Sequence, residues 1–382
     1  MELKKIQIAH FGTFDIYSFG DTLFADALAM ELPKRIDCEI TIFSKKACSK
    51  PYSPQVRVHS FEEFASLHKE KRFDVVLVGG GELFHYRDIQ YFANGKEEWY
   101  KAGMFWKSII DMGYKEGLPV YFCGIGVPYD FTPDQCKELV QYSEKVACIA
   151  ARDEFSFQRL QAAGIPENKL MRTADMLWCM QQIFPDDVLE EHRRELCGRT
   201  GIDFTQPYIA VQYGTTKDCK EIAEQLEKLQ KKLQLPVVLF TVNTCHEDRA
   251  GNRAIKQWAD TLTLVDEDLK REEIAAIIAH AELFLGTSFH GNVTAALYGV
   301  PFVGIDMYPG FVSKMDGLFT GLQCEQYLSP EAGSLFLSAM SCIADRENAA
   351  RVAESVQQMK EKKDQLFDDL AESLRRKQTG EK

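Results

Sequence analysis

Short apolar runs recur along the chain, and segments of helix length separate them. The runs that we interpret as strands are KKIQIAHF, CEITIF, DVVLVGG, PVYFCGIG, ACIAA, YIAVQY, PVVLFTV, ELFLG and PFVGID. Most of them lack a strict alternation of apolar and polar residues, which is typical of strands that are buried on both faces of a parallel sheet. The sequence therefore predicts an α/β fold of the doubly wound type.

The distribution of charge suggests where the chain divides. The segment PDDVLEEHRRELCGRTGIDFTQP is charged and has no predicted strand, and a new strand begins at Tyr208. A chain of 382 residues is longer than one core usually fills. We predict an N-terminal Rossmann-like domain over residues 1–190, a second such domain over 203–345 and a C-terminal helix over 346–382.

The predicted C-terminal helix has one apolar stripe and a charged outer face. Such a stripe predicts that the helix packs on the body of the protein, where a return to the first domain is one arrangement. The stripe consists of Val352, Val356, Met359, Leu366, Leu370 and Leu374.

Composition narrows the choice of partners. The net charge is −12, and no long run of Lys and Arg offers a basic patch, so nucleic acid and anionic membranes are disfavoured as partners. No apolar run reaches the roughly 18 residues that a spanning helix needs, and no signal segment is apparent, so we expect a cytoplasmic protein.

Cysteine spacing argues against disulfides and zinc. The 11 cysteines include no CxxC pair, and several lie in apolar segments, which predicts reduced thiols that pack as small core residues. Cys245, in the polar loop NTCHEDR, is the one candidate for a site thiol.

The segment GTSFHGNVTAALYGVP places a histidine where a strand gives way to a helix. AELFLG is the strand, the turn contains Ser288, His290 and Gly291, and NVTAALYGV is the helix. Ligands of parallel sheets bind outside the carboxyl ends of the strands, and helix N-termini present N–H groups to anions. His290 is therefore either a catalytic acid or base or only a polar residue at the start of a helix.

Three other strand ends carry candidate residues. Asp21 follows Gly20 at the start of a helix, where it is either an N-cap or a site residue. Arg152 precedes Asp153 and Glu154, so it forms either a local salt bridge or a fork for a carboxylate or phosphate. The turn after DVVLV allows a ligand to approach the backbone, but it lacks the GxGxxG spacing and the Walker lysine, so a nicotinamide or P-loop ATP site is poorly supported. That turn contains Gly79, Gly80, Gly81 and Glu82.

Taken in order, six segments resemble the polysaccharide pyruvyl transferase family over about residues 5 to 320. They are SFGDTLFADAL, VLVGGGELF, FCGIGVP, ARDEFSFQRLQAAG, RTADMLW and LGTSFHGNVTAALYGVPFVGI. The resemblance implies a GT-B-like fold in which two Rossmann-like domains face each other across a cleft. It also implies transfer of a pyruvyl group from phosphoenolpyruvate to a sugar hydroxyl of a cell-surface glycan or its lipid-linked precursor, with phosphoenolpyruvate as donor substrate and no further cofactor.

The resemblance also suggests roles for single residues. His290 matches the family histidine, and Arg152 matches a basic donor-binding position. Ser288 stands where the family usually has an arginine, so a second cation is needed for an anionic donor, and Lys314 in YPGFVSKM is our candidate.

The remaining roles follow from the chemistry. We expect the helix start at Gly291 and Asn292 to hold an anionic end of the donor, and Asp21 or Glu82 to act as base toward the acceptor. No metal-binding constellation is apparent in the sequence. A GT-B glycosyltransferase that uses a nucleotide sugar and a non-catalytic glycan-binding relative are the alternatives.

Overall fold

The computed structural model describes residues 5–47, 57–93, 96–307 and 311–379. The chain forms two compact α/β units. One unit comprises Met1–Leu177 together with Met359–Lys382, and the other comprises Trp178–Gln358. The helix that fills most of the predicted inter-domain segment belongs to the second unit.

The first unit is built on a parallel sheet of seven strands. Its strands are β1 (Ile6–Phe11), β2 (Cys38–Ser44), β3 (Val58–Ser60), β4 (Val75–Gly79), β7 (Val120–Ile125), β8 (Cys148–Ala151) and β9 (Leu170–Arg172). They lie in the order β3-β2-β1-β4-β7-β8-β9, and all neighbours pair in parallel. The strand order reverses between β1 and β4, so the switch point of this sheet lies there.

Helices and one hairpin complete the first unit. The hairpin is antiparallel and follows the glycine-rich turn; it consists of β5 (Asp88–Ala93) and β6 (Lys96–Lys101). The helices are α1 (Phe19–Glu31), α2 (Phe64–Lys71), α3 (Ala102–Lys115), α4 (Pro133–Ser143) and α5 (Glu154–Ala162).

An aromatic cluster fills one face of the first sheet. The rings of Phe11 and Phe43 stack at 4.9 Å between centroids, and those of Phe64 and Phe73 stack at 5.8 Å. All four side chains are buried. Burying a side chain of this size contributes about 1.5–3 kcal/mol, so the cluster fixes β1 and β2 against α2.

The second unit repeats the plan with a parallel sheet of six strands. Its strands are β10 (Ile209–Gln212), β11 (Val237–Phe240), β12 (Thr263–Val265), β13 (Leu283–Gly286), β14 (Phe302–Ile305) and β15 (Leu328–Ser329). Their order is β12-β11-β10-β13-β14-β15, which puts the switch point between β10 and β13. The helices that begin in this unit are α6 (Met180–Ile183), α7 (Asp186–Thr200), α8 (Cys219–Leu233), α9 (Asp248–Trp258), α10 (Arg271–Ala279), α11 (Phe289–Leu297), α12 (Lys314–Gly321), α13 (Leu335–Ala344) and α14 (Arg346–Thr379).

The second half of α14 is anchored by charged groups to α1 and to the segment that follows it. The Nζ of Lys363 lies 3.4 Å from a carboxylate oxygen of Glu31, and both side chains are 2% exposed. Arg35 reaches Asp364 at 3.1 Å and also pairs with Asp368. Of the predicted apolar stripe of α14, Met359 is partly buried and the other members are buried.

All nine predicted strands are present, so the prediction of an α/β fold with parallel sheets is confirmed. The ten cysteines within the described residues are free thiols, seven of them buried, as predicted; Cys48 lies outside the described residues. Over the described ranges, we find no helix with the length and apolar character needed to span a membrane.

Candidate active site

The turn between β13 and α11 carries four of the predicted site residues. Ser288 is the N-cap of α11, and its Oγ accepts a hydrogen bond of 3.2 Å from the amide of Gly291. The side chain of Asn292 is wholly buried and donates to the carbonyls of Gly286 at 3.1 Å and Ser288 at 2.8 Å. The Asn292 side chain therefore shapes the turn, and the Gly291 amide donates to the N-cap residue.

His290 lies in the first turn of α11, directly after the switch point of the second sheet. Its imidazole is partly buried and meets the ring of Phe289 edge-on, with 5.0 Å between centroids. The carbonyl of His290 accepts a hydrogen bond of 2.6 Å from the Thr294 hydroxyl. The backbone at His290 is thus held within the helix, and its side chain stands at the edge of the sheet where ligands bind in this type of fold.

Gln212 holds this turn from the neighbouring strand. Its Oε1 accepts hydrogen bonds from the amide of Ser288 at 2.8 Å and from the hydroxyl of Thr287 at 3.2 Å. Its Nε2 donates to Oδ2 of Asp248 at 2.9 Å. Because the carboxylate can only accept, it fixes which end of the Gln212 amide faces Ser288.

Asp248 is the buried end of this network. Its Oδ2 also accepts hydrogen bonds from the amides of Val242 at 3.2 Å and Asn243 at 2.9 Å. Burial raises the pKa of Asp248 to about 6, although these hydrogen bonds act in the opposite direction. The sequence analysis did not identify Asp248 or Gln212; a polar residue at the end of the apolar run YIAVQY was the available signal.

Lys314 lies on the connection that follows β14. It is the first residue of α12, after the N-cap Ser313, and its side chain is partly buried. Crowding by surrounding protein atoms and, secondly, the positive charge of Lys314 lower the pKa of His246. Lys314 and the loop that follows β11 therefore lie close together. Cys245, in the same loop, is buried.

In the first unit, the glycine-rich turn is packed tightly by α1. Gly80 and Gly81 have φ angles of 74° and 76°, in the left-handed region that favours glycine. A Cβ on Gly80 would lie 2.1 Å from the ring of Phe24, and a Cβ on Gly81 would lie 3.0 Å from Oδ1 of Asp21. Close packing with α1 therefore explains two of these glycines without a ligand.

Asp21 lies against this turn from the first turn of α1. The N-cap of that helix is Ser18, so the N-cap role that the sequence allowed for Asp21 is wrong. A carboxylate at this position interacts favourably with the helix dipole. The fold thus brings two of the predicted site elements, Asp21 and the turn of residues 79–82, together at the same edge of the first sheet.

His10 is a further residue at this edge that the sequence analysis did not identify. The side chain is wholly buried, and burial lowers its pKa to about 3. Neither ring nitrogen has a hydrogen-bond partner among the residues that the structure describes. A Cβ on Gly79 would lie 2.6 Å from Nε2 of His10, so the glycine makes room for this neutral ring.

Arg152 faces three carboxylates. Its guanidinium lies 3.5 Å from Glu82, 3.5 Å from Asp153 and 3.4 Å from Asp175, and its side chain is 2% exposed. Burial opposes the charge of Arg152, but these carboxylates raise its pKa. Asp153 is one of the two local partners that the sequence suggested, whereas Glu154 forms an ion pair with Arg172 instead.

The surroundings of Arg152 are therefore acidic. Three carboxylates lie within 3.5 Å of the one guanidinium. The side chain of Glu82 is 23% exposed and is the most accessible of the three carboxylates.

One grouping within the described part of the chain has the spacing of metal ligands. It consists of His192, Glu195 and Glu273, whose ligand atoms lie within 4.8 Å of one another. Glu273 already accepts a hydrogen bond of 2.7 Å from the Lys270 amide and pairs with Arg199 at 2.9 Å. These contacts satisfy the carboxylate without a metal ion.

Comparison with solved structures identifies the fold. UDP-N-acetylglucosamine 2-epimerase from Methanocaldococcus jannaschii is 13% identical with a TM-score of 0.60, and covers 93% of this chain and 98% of its own. The same enzyme from Neisseria meningitidis, bound to UDP-GlcNAc, is 13% identical with a TM-score of 0.56 and the same coverage. Anabaena HepE in complex with UDP-glucose is 12% identical with a TM-score of 0.56, and covers 98% of each chain. These similarities confirm the GT-B-like α/β fold and show the fold alone.

Comparison of the sequence with known proteins identifies the family. No curated protein matches the chain. Residues 19–307 match the family described as polysaccharide pyruvyl transferase, and this range contains the turns of Gly80 and His290. The match spans most of the chain and makes the protein an enzyme of the transferase class. The protein belongs to the polysaccharide pyruvyl transferase family.

Proposed function

We propose that the protein transfers a pyruvyl group from phosphoenolpyruvate to hydroxyl groups of a sugar in a cell-surface polysaccharide or its precursor. The observation that carries this proposal is the position of His290: it lies inside the family match and at the switch point of the second sheet. An imidazole can donate or accept a proton near neutral pH, which this reaction requires.

The reaction needs one proton donor and one base. A proton adds to the methylene carbon of phosphoenolpyruvate, and a sugar oxygen attacks the adjacent carbon as it becomes cationic. Phosphate leaves with the electron pair of its C–O bond, and a second sugar oxygen closes the ketal. Two hydroxyl protons are released, of which one balances the new methyl group and the other leaves with phosphate. We propose His290 as the group that moves the proton to carbon.

The charges of the two units support a division of roles. The edge of the second sheet carries His290 and Lys314, which suit an anionic donor, and Ser288 caps the helix there. The edge of the first sheet carries Glu82 and Asp21, which suit a hydroxyl-rich acceptor. We therefore propose donor binding in the second unit and acceptor binding in the first.

This division changes the role proposed for Arg152. Because three carboxylates surround its guanidinium, an anionic donor would have to displace them or bind beside them. We propose that Arg152 instead positions Glu82, which then binds an acceptor hydroxyl or accepts its proton.

A thermal-shift titration with phosphoenolpyruvate tests donor binding. Ligand at about 100 times its dissociation constant stabilises the folded state by about 2.7 kcal/mol. We expect such a shift with the wild type and a smaller one with Lys314→Ala. His192→Ala, which removes a histidine of α7 that is not among the predicted site residues, is the control and should behave as the wild type.

The same titration distinguishes phosphoenolpyruvate from the alternative donor. Fold neighbours of this chain have been solved with UDP-sugars, so a nucleotide sugar is the second candidate. A shift with UDP-glucose or UDP-GlcNAc and none with phosphoenolpyruvate would contradict pyruvyl transfer. A shift with neither ligand would favour a non-catalytic glycan-binding relative.

A further inference from the structure

The side chain of Gln212 links the turn of His290 to the neighbouring strand β10. Gln212 is the last residue of that strand, it pairs in register with Gly286 of β13, and it is buried. Its Oε1 accepts a hydrogen bond of 2.8 Å from the amide of Ser288. The side-chain hydrogen bonds of Ser288 and Asn292, in contrast, run within the turn itself. The contact with Gln212 therefore fixes the turn relative to β10.

The hydrogen bonds around Gln212 have defined directions. The amide of Gly214 donates to the hydroxyl of Thr287 at 3.0 Å, and that hydroxyl donates its own proton to Oε1 of Gln212 at 3.2 Å. Nε2 of Gln212 donates to the carboxylate of Asp248 at 2.9 Å. A reversed amide would point Nε2 at the Ser288 N–H and Oε1 at the carboxylate. The network therefore allows one orientation of Gln212.

Helix α9 gives this network a fixed base. Asp248 is the first residue of α9, Asn252 lies one turn later, and both are buried. Asn252 accepts a hydrogen bond of 3.2 Å from the amide of Tyr213 and donates one of 2.7 Å to the carbonyl of Phe240. A Cβ on Gly251 would lie 2.3 Å from a backbone oxygen of the loop after β10. Asp248 is thus held against the ends of both β10 and β11.

This network exceeds what the start of α11 requires. The side chain of Ser288 already supplies the N-cap, so capping does not depend on Gln212. Burying a carboxylate and an amide is costly unless their hydrogen bonds are made, and here both are buried beside the residue that we propose for proton transfer. Proton transfer is sensitive to position, since a displacement of about 1 Å can lower a rate by about 10²-fold.

We propose that Gln212 is a positioning residue for His290, and that Asp248 fixes the orientation in which Gln212 holds the turn. In this role Gln212 keeps the first turn of α11, and with it the imidazole, in the place from which the proton reaches the donor. This inference rests on the proposed function, because the proton transfer is that of pyruvyl transfer. It implies that loss of Gln212 lowers turnover without weakening donor binding.

Gln212→Met tests this implication, because methionine is also unbranched and replaces the amide by a thioether. We expect phosphate release from phosphoenolpyruvate in the presence of sugar acceptors to fall by roughly tenfold or more at saturating donor. The dissociation constant for phosphoenolpyruvate, measured by calorimetry, should be unchanged. Gln225→Met is the matched control, because Gln225 is a buried glutamine of α8 in the same unit, and its turnover should equal that of the wild type.

The NMR signal of the His290 ring reports on its surroundings without any turnover. In protein with isotope-labelled histidine, this signal is the one that disappears in His290→Ala. We expect it to shift in Gln212→Met and to keep its position in Gln225→Met. Asp248→Asn still offers an oxygen to Gln212, so it should keep the turnover and the signal of the wild type. A loss in Asp248→Asn as large as that in Gln212→Met would contradict the role of Asp248 as the orienting acceptor.

Thr287→Val provides a second variant if Gln212→Met does not fold. Valine keeps the shape of threonine and removes the hydroxyl that joins Gly214 to Gln212. We expect the same pattern on a smaller scale, with lower turnover, a shifted His290 signal and unchanged binding of phosphoenolpyruvate. Melting temperatures establish that each variant is folded at the temperature of the assay.

The outcomes separate this inference from the proposed function. Unchanged turnover and an unchanged His290 signal in Gln212→Met would overturn the positioning role. So would a loss that Gln225→Met shares, or one that appears only as weaker binding of phosphoenolpyruvate. Turnover that depends on His290 would in that case still support pyruvyl transfer. If the wild type releases no phosphate from phosphoenolpyruvate but the His290 signal responds to Gln212→Met alone, Gln212 positions the turn and the pyruvyl donor is contradicted.

Discussion

Replacing Asp248 by asparagine should change how stability depends on pH. The pKa of Asp248 is raised from its ordinary value of 3.8 to about 6, because the carboxylate is buried. The folded protein therefore holds a proton on Asp248, between about pH 4 and 6, that the unfolded chain releases. In this window the stability of the wild type falls as pH rises, and above it the contribution is constant.

The magnitude follows from the shift. A rise of about two pKa units corresponds to about 3 kcal/mol. Asparagine can keep an oxygen toward the amides of Val242 and Asn243 and toward Gln212, but it does not ionise. The stability of the wild type relative to Asp248→Asn should thus decrease by about 3 kcal/mol between pH 4 and pH 7.

Chemical denaturation at a series of pH values measures this difference. Comparing the two proteins cancels the carboxylates that they share, and Asp260→Asn, an exposed site on the surface after α9, controls for the loss of one negative charge. If the free energy of unfolding of the wild type, relative to that of Asp248→Asn, is constant or rises between pH 4 and pH 7, the claim that burial raises the pKa of Asp248 is refuted.

Three further changes have defined outcomes. Gly80→Ala should destabilise the protein by more than the roughly 1–2 kcal/mol that a left-handed φ costs an alanine, because the new Cβ would also clash with Phe24. Gly117 has a φ of 69° and open space around it, so Gly117→Ala should show the cost of the backbone conformation alone. Urea denaturation of both variants measures the difference. Lys314→Ala should weaken phosphoenolpyruvate binding by about 1.5–3 kcal/mol in calorimetry, and unchanged affinity would exclude the lysine from the donor site. Lys363→Met should destabilise the anchoring of α14, because the buried carboxylate of Glu31 loses one cation, and faster hydrogen exchange in α14 would show it.

The parallel strands were predictable because apolar runs mark strands that are buried on both faces. The strands that were missed are of a different kind. Four of them are two or three residues long and lie at sheet edges, where no apolar run is needed: Val58–Ser60, Leu170–Arg172, Thr263–Val265 and Leu328–Ser329. The charged strand Lys96–Lys101 belongs to a hairpin outside the main sheets.

The candidate site was predictable in position and much less so in detail. Sequence spacing placed His290 and the glycine turn at strand ends, where the structure has them. It could not show that Asn292 turns its amide inward, because the direction of a side chain depends on the local backbone. Nor could it pair Arg152 with Glu82 and Asp175, since these residues are distant in sequence and meet only when β4, β8 and β9 enter one sheet.

The central claim is that His290 moves a proton during pyruvyl transfer. The most direct measurement is phosphate release from phosphoenolpyruvate in the presence of a panel of sugar acceptors. The wild type and His290→Ala are compared after their melting temperatures have been shown to agree, so that a lower rate does not reflect unfolding. We predict acceptor-dependent release by the wild type and a rate lower by about 10²-fold or more in the variant. Equal rates in the two proteins, or turnover of a nucleotide sugar with none of phosphoenolpyruvate, would contradict the account.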